Sequence, residues 1–437
     1  MSLIMDEINL SILGKLSPAC IDKLTGAEED VEDQLIYRSI SSNNVLEPPV
    51  EQTYYTKVKK GSTSKVYFDN AEGLRELNIN IRQKPSKNRN RGKLSAKKSM
   101  SGIIGADLSR NFHEYTPETK QSIYSLEDLY RSVQFLVENK SRKLSSIKIL
   151  SLRRNLMTLL MIPVKRHPAR FRVIYWQDLI IIDYDWEFEN DTHDFDKSQY
   201  SGFKFEDVIT KPKPVDEGSV EDLSLELEKL TLNDEKSSYY TVVESKLNGI
   251  PILFTAEIDA GIKESTPGID NYVELKTHTN ISTIDMNTRP PYRLQSKLLT
   301  TYCQNKFINA KYGVIGFRSP QYRLTSIKSL ENNEIGNFMN KYPMLISDGI
   351  SVNGGRLFKW YSLIVTWLHD QIKTRGQKNR KEDVLVFHLE CVSGETVLNT
   401  RLSLKEITDK TESSRLFSTT VPQWFQEFVK KQSEGNS

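Results

Sequence analysis

Cysteine is scarce: Cys20, Cys303 and Cys391 are the only three in 437 residues, and they match no zinc or redox spacing. An odd and dispersed set describes no disulfide framework, so a reducing compartment is expected. Long apolar runs are missing too. Tyr361–Leu368 falls far short of the ~20 apolar residues that a membrane-spanning helix needs. The N-terminal stretch MSLIMDEINL has no basic segment followed by an apolar one, so no secretory signal is read there. Nor is there an excess of charge of one sign. Lys and Arg (60) nearly cancel Asp and Glu (57), and a net charge of +3 permits a polyanionic partner without demanding one. There is no internal repeat. A soluble, intracellular protein is expected.

What is present is unevenly distributed. Residues 1–100 are rich in Ser, Asn, Lys and acidic clusters, with weak periodicity, and read as a basic and polar extension. Within it, Arg82–Lys98 concentrates basic residues without apolar support, as expected of a solvated loop, an RNA-backbone arm or an import signal. Residues 101–432 read as a single domain interrupted by an acidic insertion near 211–238. Apolar residues at helical spacing predict helices over Ile123–Val137 and Leu144–Leu160, the second stopped by Pro163. Arg170–Asp185 reads as one or two strands, and Gly202–Ile209 as a helix. Tyr239–Leu247, Asn248-Gly249 and Ile250–Ala260 read as a β-hairpin, because both central residues of a type I′ turn need φ > 0. A strand at Tyr272–Lys276, a helix at Arg293–Phe307 and a strand at Tyr312–Phe317 follow. Helices near 335–344 and 359–372, a strand at Asp383–Cys391 and a helix after Pro422 complete the series. Strands interleaved with helices predict an α/β or α+β class with a mixed sheet.

The chemistry concentrates where the hairpin ends. In Glu257-Ile-Asp259, alternation along a strand sends both acids to one face, and Glu274-Leu-Lys276 does the same on the next strand. Three clustered carboxylates raise one another's pKa unless a cation joins them, and Mg²⁺ or Mn²⁺ takes oxygen ligands of this kind. Such a site suits attack of water on a phosphodiester, with a lysine beside the metal to hold the nucleophile or the scissile phosphate. Each three-residue pattern alone is more often a solvated strand edge. Along Arg293–Phe307, Arg293, Lys297 and Gln304 share a polar stripe beside Leu294 and Leu298. Arg153 falls within the apolar stripe of its helix, where it requires an anion; a phosphate and a structural carboxylate are equally good partners.

Taken in order, LRRNLMTLL, Gly202-Phe-Lys-Phe-Glu206, Glu257-Ile-Asp259, Glu274-Leu-Lys276, KLLTTYCQNKF and Gly316-Phe-Arg318 resemble the DXO-type decapping nucleases. That family includes the nuclear partner of the large 5′–3′ exoribonuclease. The likeness runs from about Asp107 to about Val429. It implies an α+β fold of two twisted mixed sheets flanked by helices, with the active site in the cleft between them. It implies a metal shell of Glu206, Glu257, Asp259, Glu274 and the Leu275 carbonyl, holding two Mg²⁺ or Mn²⁺ ions. It assigns catalysis to Lys276, Gln304, Glu257 and Asp259, and substrate contacts to Arg153, Glu206, Lys276 and Gln304; the polar stripe adds Lys297 to the substrate contacts. The implied substrate is RNA with a 5′ cap or a 5′ phosphate. The activities implied are release of the whole cap dinucleotide and 5′–3′ degradation of 5′-monophosphate RNA; some relatives release pyrophosphate from 5′-triphosphate RNA. A monomer is expected, and a stable exoribonuclease partner is left open without being predicted; the alternative readings are an accessory subunit that stabilises a larger 5′–3′ exoribonuclease, or an RNA 5′-triphosphate pyrophosphohydrolase. The long extension and insertion resemble the cytoplasmic fungal branch, with the nucleus as the alternative location.

Overall fold

In the computed structural model, the residues described are 2–16, 34–36, 46–60, 63–79, 81, 102–165, 168–188, 195–210, 236–263, 266–279, 284–347, 349–378, 384–392, 394, 396 and 399–434. The basic run at 82–98 and residues 211–235 of the acidic insertion lie outside them. The first strands are β1 (Ser2–Asn9), β2 (Val50–Lys60) and β3 (Thr63–Phe68). Helices α1 (Lys120–Ile123) and α2 (Glu127–Asn139) precede β4 (Ile149–Leu152), α3 (Arg153–Lys165), β5 (Ala169–Trp176) and β6 (Leu179–Tyr184). Next come α4 (Lys197–Thr210), β7 (Lys236–Leu247), β8 (Ile250–Ile258), β9 (Ala260–Gly261) and β10 (Tyr272–Thr279). They lead to α5 (Tyr292–Ile308), β11 (Tyr312–Arg318), β12 (Leu324–Glu331), α6 (Asn332–Lys341), β13 (Met344–Ser347) and β14 (Ile350–Val352). The last elements are α7 (Gly354–Lys378), β15 (Val384–Val392), β16 (Arg401–Ile407), α8 (Lys410–Thr420) and α9 (Gln423–Glu434).

The strands build a ten-stranded sheet ordered β1-β16-β15-β5-β6-β4-β8-β7-β2-β3, a four-stranded sheet β12-β11-β10-β9, and the ribbon β13-β14. Both larger sheets are mixed: β4 runs parallel to β6 and β8, and β10 runs parallel to β11 across the α5 crossover. The class is therefore α+β, as expected. One face of the large sheet buries Ile252, Phe254, Ala256 and Ile258 of β8 against α3, α5 and α7. The other buries Leu253 together with Tyr55, Leu129 and Phe425 beneath α2 and α9. A smaller cluster, with Phe205 and Val208 of α4 and Leu275 and Val314 of the strands, fills the space behind the small sheet.

The hairpin forms as read, with φ of 50° at Asn248 and 78° at Gly249. Two expectations are corrected. The helix predicted over Leu144–Leu160 begins only at Arg153, because Ile149–Leu152 is the strand β4. A short strand between two parallel neighbours is buried on both faces, so its sequence lacks the alternation that marks a strand. Pro163 does not stop α3, which runs on to Lys165. Its ring removes the N–H that would serve the Leu159 carbonyl, and that carbonyl instead accepts from Trp360 Nε1 at 3.4 Å. Strands β2 and β3 lie within the stretch read as weakly patterned and add to the edge of the large sheet. There Glu51 accepts from Thr241 Oγ1 at 2.6 Å and from the Tyr272 hydroxyl at 2.5 Å, tying β2 to both sheets.

Candidate active site

The chain leaves the large sheet at Ile258, the last residue of β8, and enters the small sheet at Ala260, the first of β9. Asp259 is the single residue between them. Its Oδ2 accepts from the Leu275 N–H at 2.7 Å, which fixes it against β10. Because β8 ends one residue earlier, strict strand alternation does not extend to Asp259. Glu257 stays exposed, while its main-chain carbonyl accepts from Arg153 Nη2 at 2.8 Å. On β10, alternation holds: Glu274 and Lys276 share a face and their side chains pair directly.

The ammonium of Lys276 is therefore surrounded by oxygen. It touches Glu274 Oε1, lies 3.0 Å from the Leu275 carbonyl and 3.8 Å from Asp259 Oδ2. Glu274 is 3% exposed and takes a second cation, Arg153 Nη1 at 3.2 Å. Arg153 thus has the structural carboxylate partner that was one of its two possible readings. Arg154 beside it is turned away, over the Tyr124 ring at 5.5 Å.

Charge follows from this packing. Burial pushes the Asp259 carboxyl up to about 6, and Glu274 adds to that while Lys276 opposes it. Burial also works to raise Glu274, but Lys276 and Arg153 outweigh it and hold the carboxyl below its ordinary value. Burial works to lower Lys276, and the two carboxylates outweigh it, so the ammonium is kept. Among the described residues, no three His, Cys, Asp or Glu side chains stand close enough together to hold a metal ion. The donor chemistry nonetheless fits a hard divalent cation. Three oxygens expected as ligands, from Asp259, Glu274 and Leu275, already converge on one positive charge, the ammonium of Lys276.

Glu206 arrives from α4, which sits close to the small sheet because Gly316 of β11 lacks a side chain. A Cβ there would lie 2.4 Å from the Phe205 ring. Arg75 holds the neighbourhood from outside, 2.6 Å from Asp207 and 3.8 Å from Glu206. From α5, Gln304 presents an Oε1 that is buried and lacks a hydrogen-bond partner among the described residues. Such an acceptor is suited to a water or an RNA hydroxyl. Lys297, one stripe position earlier, is pushed down to about 8 by burial, with Lys276, Arg318 and Lys165 adding to the effect. Arg293 is exposed. Arg75, Lys165 and Arg318 escaped the sequence reading as site neighbours. Of these, only Arg318 carried a signal, its place in Gly316-Phe-Arg318.

A lysine whose folded pKa lies below its unfolded value costs stability wherever the folded state must still hold the proton. For Lys297 that cost is full below pH 8 and is relieved between about 8 and 10.5. Lys297→Met is expected to raise stability by about 1–2 kcal/mol at pH 7, with the gain fading above pH 8. The same substitution should weaken RNA binding and lower the salt dependence by about one ion. Urea titrations at pH 7 and 9.5 and binding at two salt concentrations check both; a gain that grows with pH contradicts the assignment.

Residues 48–426 match the family model described as RAI1 like PD-(D/E)XK nuclease. The chain is 26% identical over 298 residues to the decapping nuclease RAI1 of Debaryomyces hansenii, covering 63% of this chain and 73% of that protein. With the decapping nuclease RAI1 of Candida albicans it is 25% identical over 186 residues, covering 41% and 46%. Among solved structures, Scheffersomyces stipitis Rai1 in complex with (3′-NADP)+ and calcium superposes with a TM-score of 0.68 at 17% identity, covering 88% of this chain and 95% of that one. Candida albicans Rai1 in complex with pU5-Mn²⁺ gives 0.69 at 18%, covering 89% and 96%. The matched segment takes in every strand and helix described above from β2 to α8, and with it the whole carboxylate–lysine cluster. The chain belongs to the RAI1-like PD-(D/E)XK nuclease family.

Proposed function

We propose that this protein hydrolyses phosphate linkages at the 5′ end of RNA. It releases the whole cap dinucleotide from incompletely or fully capped mRNA and degrades 5′-monophosphate RNA in the 5′–3′ direction. Its role is mRNA 5′-end quality control. The observation that carries this reading is the convergence of Asp259, Glu274 and the Leu275 carbonyl on one cation at the junction of the two sheets. Relatives of this family bind such substrates: the Candida albicans Rai1 structure holds pU5 and Mn²⁺.

Glu206, Glu257, Asp259, Glu274 and the Leu275 carbonyl are the residues that would hold divalent Mg²⁺ or Mn²⁺. A bound ion would lower the pKa of water and neutralise charge on the scissile phosphate. The protein's own groups do the rest. Lys276 supplies a positive charge whose position is set by Glu274, and from there it orients the nucleophile and the phosphate. Gln304 Oε1 accepts a hydrogen bond from the attacking water or an RNA hydroxyl. Arg153 clamps the Glu257 carbonyl to the Glu274 carboxylate, so the ends of β8 and β10 keep a fixed separation. Lys297 and the cations near it draw the RNA backbone into the cleft.

No helix among the described residues is long and apolar enough to cross a membrane. We place the protein in the cytoplasm, as a monomer.

The test is digestion of cap-labelled and 5′-monophosphate RNA with Mn²⁺ or EDTA, beside the Glu257→Ala/Asp259→Ala double variant. Free cap dinucleotide and mononucleotides are expected with Mn²⁺ and neither with EDTA. The double variant should lose roughly 10³-fold or more in rate. Undiminished cleavage by the double variant overturns the site.

A further inference from the structure

Four aromatic rings collect beside α4, close to Glu206 but outside the carboxylate–lysine cluster. Phe195 and Phe203 lie 6.1 Å apart with their planes 18° from parallel. Phe112 lies 6.4 Å from Phe195 at 17°. Tyr115 bridges them, 5.1 Å from Phe195 and 6.1 Å from Phe203. Phe203 keeps 37% of its surface exposed, an unusual state for so large an apolar ring, and the other three are only half-buried.

Position ties this ring surface to the proposed active site. Phe203 precedes Glu206 by three residues on α4, so the two side chains occupy adjoining parts of one helix face. Tyr115 lies within the electrostatic reach of Glu206; burial first, then Glu118 and Glu206, push its phenol up to about 12.

Cations stand at the edge of the same surface. Lys197 Nζ sits 5.8 Å above the Phe112 ring. Arg318, 6% exposed, donates to Ser198 Oγ on the first turn of α4 at 2.8 Å. Its Nε is buried and has no hydrogen-bond partner among the described residues. Partly exposed rings, two pairs of them near-parallel, bordered by the exposed Lys197 ammonium match single-stranded RNA, whose bases stack on aromatic faces and whose phosphates need cations.

We propose that Phe112, Tyr115, Phe195 and Phe203 form a base-stacking subsite for the RNA strand 3′ of the scissile linkage, with Lys197 facing its phosphates and Arg318, held by Ser198 and under the Tyr322 ring, adding positive charge from behind. This rests on the reading of the cluster as an RNA 5′-end nuclease. The subsite holds successive nucleotides by their ring faces, without reading their edges, as a 5′–3′ enzyme acting on any sequence requires.

The experiment compares binding of 5′-phosphorylated oligoadenylate with a ribose-phosphate chain of equal length lacking bases. Fluorescence anisotropy is read in EDTA, so that binding is seen without cleavage. The wild-type chain is expected to prefer the oligoadenylate by about tenfold or more. Phe203→Leu, which keeps an apolar side chain in the packing, should lose most of that preference, and Phe203→Trp should keep it. With Mn²⁺ added, Phe203→Leu should raise KM for RNA several-fold at nearly unchanged kcat. Equal affinity of the wild type for the two chains, or an undiminished preference in Phe203→Leu, overturns the subsite. A wild-type chain that prefers oligoadenylate yet cleaves no RNA would overturn the nuclease reading instead, so the two failures are distinct.

Discussion

Lys276→Met is expected to lower the rate on 5′-monophosphate RNA by roughly 10³-fold while strengthening Mn²⁺ binding. The two changes have one cause. In the structure the ammonium pairs with Glu274 and lies 3.0 Å from the Leu275 carbonyl and 3.8 Å from Asp259, groups that would hold a divalent ion. It competes for those oxygens, and methionine does not. Without it, Asp259, already pushed up to about 6, loses its nearest cation and holds its proton more tightly still. The metal-free variant should therefore be less stable than wild type near neutral pH, and Mn²⁺ should restore it by more than it stabilises wild type. Titration calorimetry with Mn²⁺, thermal melts with and without the ion, and single-turnover cleavage read all three quantities. Weaker Mn²⁺ binding in the variant would show that Lys276 supports the ion and does not compete with it.

Arg153→Leu is expected to cost about 3 kcal/mol of stability, among the largest effects available to a single substitution here. Arg153 is 7% exposed and spans two groups: Glu274 Oε2 at 3.2 Å and the Glu257 carbonyl at 2.8 Å. Leucine fills the space but takes this donor from the part-buried Glu257 carbonyl and leaves Glu274 with one cation in place of two. Arg153→Lys keeps the charge and loses the two-pronged reach, so it should fall between wild type and the leucine variant. Urea denaturation of metal-free protein measures the order. A loss below about 1 kcal/mol for Arg153→Leu means that water or a neighbour replaces the bridge.

What the sequence shows and what it conceals divide along physical lines. The hairpin is legible because Asn248-Gly249 leaves few alternatives, and both residues adopt positive φ. Glu274 and Lys276 are legible as a pair because period-two alternation holds within β10. Asp259 is found but its orientation is not, since β8 stops at Ile258 and the next residue answers to the Leu275 N–H. The strand β4 hides because its residues are buried on both faces and run into the apolar spacing of α3. Strand β3 hides for the opposite reason: it is the edge of the large sheet, and Thr63, Ser64 and Lys65 are exposed. Arg75 and Glu51 reach their partners across long stretches of chain, and no local pattern announces such contacts. The family likeness rests on six short motifs spread over both sheets, whereas periodicity missed β3 and β4.

Asp259 is the whole of the connection between the two large sheets at this point, and that placement has a mechanical consequence. A single residue between two sheets leaves no slack, so any shift of one sheet against the other would be felt at the Asp259 carboxylate. Arg153, bonded to the Glu257 carbonyl and the Glu274 carboxylate, ties together the strand ends on either side of it. Rigidity at that joint is what a site drawn from both sheets needs, because its oxygens keep their spacing only if the strand ends keep theirs.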